Sequence, residues 1–127
     1  MNLLLDTHAL IWFATDLDKL PPVTLETIYA APVVMVSPVS AYEMTFKHRL
    51  GKLPVAQRLL VDLPGYLRQQ RFDALPVSLA HAEAAGRLPP EHRDPFDRIL
   101  AAQALVDDMT LVSSDKAFDL FGVKRLW

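Results

Sequence analysis

Four acidic residues, Asp6, Glu43, Asp97 and Asp115, are spread along a chain of 127 residues that contains no cysteine. Carboxylates gathered within a few ångströms repel one another, so a cluster of them persists only with shared protons or bound cations. An all-oxygen donor set suits hard divalent ions, and Mg²⁺ or Mn²⁺ is its natural occupant. Such an ion can orient and deprotonate a water for in-line attack on a phosphodiester, and a second can stabilise the leaving oxygen. The lack of cysteine removes thiolate metal sites, a thiol nucleophile and any disulfide framework. The scatter of the four histidines argues against a zinc-type centre.

The elements between these acids decide whether they can meet. Asn2 to Leu5 reads as a buried strand, followed by a helix over the apolar run Ala9 to Ala14. Pro21-Pro22 opens a helical stretch to Ala31, and Val33 to Val36 is a short apolar strand of the type buried in parallel sheets. Ser37-Pro38 starts a helix that carries Glu43 and stops at Gly51. A longer helical segment, Val55 to about Arg71, should break at Pro64-Gly65. A strand at Ala74 to Val77, a helix from Ser78 to Leu88 and a polar loop from Pro89 to Arg93 come next. Asp94 caps the clearest helix, with Pro95 in its first turn and an apolar run to Val106. Thr110 to Ser113 is a strand, Asp115 starts a helical turn through Phe118, and Val123 to Trp127 is an edge strand.

This alternation predicts a single domain over residues 1–127, an α/β fold in which a central, mainly parallel sheet is sandwiched between helices in three layers. In open parallel sheets ligands bind outside the carboxyl ends of the strands. Asp6 and Asp115 follow strands, Glu43 lies in the second turn of a helix launched from one, and Asp94 and Asp97 open another helix. The acids are therefore expected at one sheet edge.

Each acid also has a structural use. Asp6, Asp94 and Asp115 suit helix caps, Ser40 and Glu43 fit a capping-box spacing, and Asp97 favours a helix's positive end. Such uses do not by themselves place every acid at the same end of the same sheet. Arg98 and Lys116 each follow one of the four acids and are candidates to hold phosphate, although surface ion pairs would serve them as well. Lys47-His48-Arg49 and Lys52 form a basic stretch on the helix of Glu43, suited to RNA or to the helix dipole.

Four segments together resemble the PIN-domain nucleases, and more narrowly the VapC-type toxins. They are Leu4-Leu5-Asp6-Thr7, Ser40-Ala41-Tyr42-Glu43, Asp94-Pro95-Phe96-Asp97-Arg98-Ile99-Leu100-Ala101-Ala102-Gln103-Ala104 and Leu111-Val112-Ser113-Ser114-Asp115. The resemblance runs over essentially the whole chain. It implies that Asp6, Glu43, Asp97 and Asp115 are the metal-binding, catalytic acids, with Asp94 a possible fifth. Thr7 and Ser114 stand where the family often has hydroxyls near the metal. It further implies an endoribonuclease that uses Mg²⁺ or Mn²⁺ and leaves a 5′-phosphate, inhibition by an antitoxin encoded beside the toxin, and a homodimer.

Formal net charge is −2, from 13 basic and 15 acidic residues, which gives no global argument for nucleic acid. Sequestering four acids in a metal-filled pocket would leave the remaining surface slightly basic. Leu3 to Leu5 is too short for a signal peptide and no apolar run approaches a membrane span, so a cytoplasmic protein without a membrane anchor is expected. Two other functions compete. An aspartyl-phosphate phosphotransferase would need an acid at position 8, where this chain has His8. A PIN-like domain that only binds RNA or protein would tolerate loss of an acid, and none of the four is replaced by an uncharged residue.

Overall fold

Leu3, Leu4 and Leu5 are wholly buried because the strand they form runs down the middle of a sheet covered on both faces. The computed structural model describes residues 1–127. Its strands are β1 (Asn2–Leu5), β2 (Val33–Val36), β3 (Asp73–Ala74), β4 (Thr110–Val112) and β5 (Lys124–Leu126). All pair in parallel, in the order β3-β2-β1-β4-β5, with Leu5 opposite Val36 on one side and Val112 on the other. The helices are α1 (Thr7–Thr15), α2 (Pro22–Ala30), α3 (Pro38–Arg49), α4 (Gln57–Val61), α5 (Leu63–Gln70), α6 (Leu79–Arg87) and α7 (Pro95–Val106).

Side chains alternate across a strand, so β1 feeds two cores. Leu3 and Leu5 join Leu10 and Phe13 of α1, Ile28 of α2, Met44 of α3 and Leu59 of α4 on one face. Leu4 and Leu111 join Leu100, Ala101 and Ala104 of α7, with Phe118 and Phe121, on the other. Each wholly buried leucine contributes roughly 2 kcal/mol of transfer free energy. The expected three-layer α/β/α sandwich is present, and its sheet is parallel throughout.

Two local expectations need correction. The third strand spans Asp73–Ala74 rather than Ala74 to Val77. Pro76 has no N–H to give a ladder, and the carbonyl of Leu75 instead accepts from the buried Gln103 side chain at 2.9 Å. The long helical segment breaks at Asp62 rather than at Pro64-Gly65. The Asp62 carboxylate accepts from Gly65 N–H at 3.1 Å, which puts Pro64 in the first turn of α5, where its missing N–H costs nothing. No helix is long and apolar enough to cross a membrane.

The chain runs outward from β1 through β2 to β3, then returns to place β4 on the other side of β1. This reversal opens a crevice at the carboxyl ends of β1 and β4.

Candidate active site

Asp6 leaves the end of β1 with its N–H donating to Val112 O of β4 at 3.0 Å, so it sits on the crevice itself. Its carboxylate caps α1 by accepting from Ala9 N–H at 2.7 Å, which fixes its direction and uses one oxygen. Asp94 and Asp115 are held in the same way. Asp94 accepts from Phe96 N–H (2.9 Å) at the start of α7, and Asp115 accepts from Ala117 N–H (2.9 Å) at the start of the 3₁₀ turn Lys116–Phe121. The capping role of these three acids is real, and it aims them.

Asp6, Glu43, Asp94, Asp97 and Asp115 line one pocket of about 210 Å³, together with Thr7, Ser114, His8 and Lys47. Asp6 and Glu43 are buried, Asp97 is partly so, and Asp94 and Asp115 lie at the mouth. No three of these acids converge closely enough to hold an ion between them as they stand. The donor set is nonetheless carboxylate throughout, the chemistry of a hard divalent cation rather than of zinc.

The electrostatics are those of crowded acids. Burial raises the pKa of Asp6 above the usual carboxylate value, against the Ser113 hydroxyl and the Ala9 N–H, and Glu43 adds to the rise. Asp97 is pushed up to about 6, first by burial and then by Asp94 and Asp115, although its bond to His92 works the other way. Glu43 differs. Burial would raise it, but Lys47 and the Thr7 hydroxyl outweigh that and hold it low. Lys47 lies one turn along α3 and donates to Glu43 Oε2. Thr7 Oγ1 also lies 3.1 Å from Ser40 Oγ, tying α1 to α3 beside Glu43.

Four basic side chains stand differently from the expectation. Arg98 is not on the pocket. Its Nη1 donates to the carbonyls of Pro89 (2.7 Å) and His92 (2.9 Å), and its Nη2 to those of Ala85 (2.8 Å) and Leu88 (2.7 Å). With both terminal nitrogens committed to backbone, it organises the α6–α7 connection rather than holding phosphate. Lys116 is exposed and does not line the pocket. Lys47, expected only as part of the basic stretch on the helix of Glu43, lines it. Its signal was available, since residues four apart share a helix face. His92 was missed too. Its Nε2 lies 2.8 Å from Asp97 Oδ2.

A family model, the PIN domain, matches residues 3–124. The chain belongs to the PIN-domain family. The fold is also shared with solved structures at low identity. VapBC2 from Rickettsia felis, bound to a DNA fragment from its promoter, superposes with a TM-score of 0.73 at 19% identity, covering 100% of this chain and 99% of that one. DNA-bound VapBC from Salmonella typhimurium gives 0.75 at 17%, covering 99% and 97%. FitAcB from Neisseria gonorrhoeae gives 0.70 at 17%, covering 98% and 96%. No curated protein sequence matches the chain. In this PIN domain the acidic pocket sits where the strand order reverses, between β1 and β4.

Proposed function

We propose that this PIN domain is a metal-dependent endoribonuclease and the toxin of a toxin–antitoxin pair. The observation that carries the reading is the convergence of acids from four separate segments, after β1, on α3, on α7 and after β4, on one pocket. In this reading Asp6, Glu43, Asp97 and Asp115 hold Mg²⁺ or Mn²⁺, with Asp94 at the rim. The ion supplies Lewis acidity at the scissile phosphate of RNA. Lys47, which donates to Glu43 Oε2, would have to yield that carboxylate to a bound ion. Thr7 steadies Glu43 from the adjoining helix, Ser114 lies on the wall beside Asp115, and Asp6 keeps its direction through its cap on α1. His8 and Lys47 are the cationic-capable groups on the wall, placed to meet an incoming phosphate.

The partners follow from the same reading. The solved structures that share the fold include VapBC and Fit complexes, and a toxin–antitoxin complex from Klebsiella pneumoniae, which supports a protein antitoxin for this chain and a cytoplasmic setting. A homodimer is supported by Tyr42 and Phe46 of α3 and Leu50 at its C-cap, which form an apolar stripe at four-residue spacing, each at least half exposed. Tyr42 and Phe46 stack at 6.0 Å, and Phe96 of α7 packs against Tyr42 at 5.5 Å.

The test is incubation of the purified protein with total RNA, with Mg²⁺, with Mn²⁺ and with EDTA, followed by sequencing of the new ends. Recurrent cuts bearing 5′-phosphates, present with either ion and lost in EDTA, are expected. Cuts that persist undiminished in EDTA would reject the metal-dependent mechanism.

A further inference from the structure

The structure assigns to His92 the task of fixing the plane of the Asp97 carboxylate, and to Arg98 that of fixing His92; both are positioning residues of the acidic pocket. This rests on the reading of that pocket as a divalent-cation site.

An aspartate's terminal torsion has broad, weakly defined minima, so a carboxylate on the first turn of a helix is not oriented by its backbone. Asp6, Asp94 and Asp115 solve this by accepting backbone N–H groups as caps. Asp97 caps nothing, and the nearby charges of Asp94 and Asp115 oppose its ionised form. The bond that fixes it comes from His92 Nε2, at 2.8 Å from Oδ2. A histidine that donates to a ligand from outside sets the ligand's direction, and such partners are worth far more to a metal site than their exposure suggests.

His92 is itself held on two sides. Its ring stacks on Phe118 at 6.3 Å and meets Phe121 edge to face at 5.3 Å, and both phenylalanines belong to the 3₁₀ turn that Asp115 caps. Its carbonyl is one of the four that Arg98 gathers, and the Arg98 guanidinium lies 6.0 Å from the Phe121 ring centroid. The unit thus joins two acids that are far apart in sequence. Asp97 is oriented by a ring seated on the aromatic pair that follows Asp115. Arg98, next to Asp97 in sequence, serves it by this indirect route.

The test compares Mn²⁺ binding by calorimetry in wild type, His92→Phe, His92→Gln and Asp97→Asn, each with its melting temperature. Phenylalanine can keep the contact with Phe118 and Phe121 but cannot donate, and glutamine keeps a donor. The expected result is a dissociation constant for His92→Phe roughly ten to a hundred times the wild-type value at a similar melting temperature, with partial recovery in His92→Gln. Wild-type affinity in a folded His92→Phe would overturn the inference while leaving the metal reading intact. A wild type that binds no Mn²⁺ would overturn both. A second readout needs no variant: in ¹⁵N-resolved spectra of the wild-type imidazoles, the His92 Nε2 resonance shifts on addition of Mg²⁺. An unmoved resonance at saturating Mg²⁺ would contradict the assignment even where His92→Phe does not fold.

Discussion

Lys47 donates to Glu43 one turn earlier on α3, so one wall of the acidic pocket carries its own counter-charge. A cation entering the pocket competes with that ammonium for the same carboxylate. Lys47→Met should therefore destabilise the cation-free protein at pH 7 by about 1 kcal/mol, between the effect of a surface pair and that of a buried one. Saturating Mg²⁺ should restore most of the loss, and Mg²⁺ should bind the variant more tightly than the wild type. Thermal unfolding with and without Mg²⁺ measures this; equal losses under both conditions would contradict the competition.

Asp97 sets a pH dependence of the opposite sign from Glu43. Its pKa is raised to about 6, so the folded state holds the proton more tightly than the unfolded chain does. That contribution is complete below about pH 4 and is lost as pH rises through about 6. Asp97→Asn, which cannot ionise, should make the cation-free protein more stable at pH 7 by about 1–3 kcal/mol and flatten its stability profile between pH 4 and 6. Urea unfolding in EDTA across that range is the measurement. Glu43 is held low, so its own contribution is lost as pH falls and persists in the variant.

Arg98 supports four backbone carbonyls, which a lysine ammonium cannot match in geometry. Arg98→Lys should lose about 2 kcal/mol or more in denaturant unfolding. A variant with full stability and weakened RNA binding would instead return Arg98 to the phosphate role that its place in the sequence suggested.

The apolar stripe on α3 predicts that Phe46→Glu dissociates the protein. Ultracentrifugation should show a wild-type dimer and a folded monomeric variant, since Phe46 is half exposed and outside both cores. A wild type that sediments as a monomer at micromolar concentration would remove this surface from the account.

The sequence made the strands legible where apolar runs are short and uninterrupted, as in Leu3-Leu4-Leu5 and Val33 to Val36, because strands buried on both faces carry apolar residues throughout. It also placed Asp6 and Asp115 at the sheet's carboxyl edge, since each follows a strand. It failed where a side-chain contact, distant for Gln103 and local for Asp62, decides where an element ends or begins. Gln103 takes the carbonyl of Leu75 and Asp62 caps α5, and neither contact leaves a periodic trace. Arg98 bonds backbone away from the pocket because adjacent helical residues point about 100° apart, so a neighbour of Asp97 in sequence does not share its direction. His92 depends on the path of the α6–α7 connection, which no local pattern encodes.

The central claim is that the acids hold a cation which drives RNA hydrolysis, and Asp97→Asn tests it most directly. The variant keeps the side chain's size and the start of α7, and should remain folded by circular dichroism and melting temperature. Assayed on the same RNA with Mg²⁺ or Mn²⁺, it should cut at least about a hundred times more slowly than wild type, on the order expected for losing a central charged group of a metal site. Cleavage by folded Asp97→Asn at the wild-type rate would contradict the account.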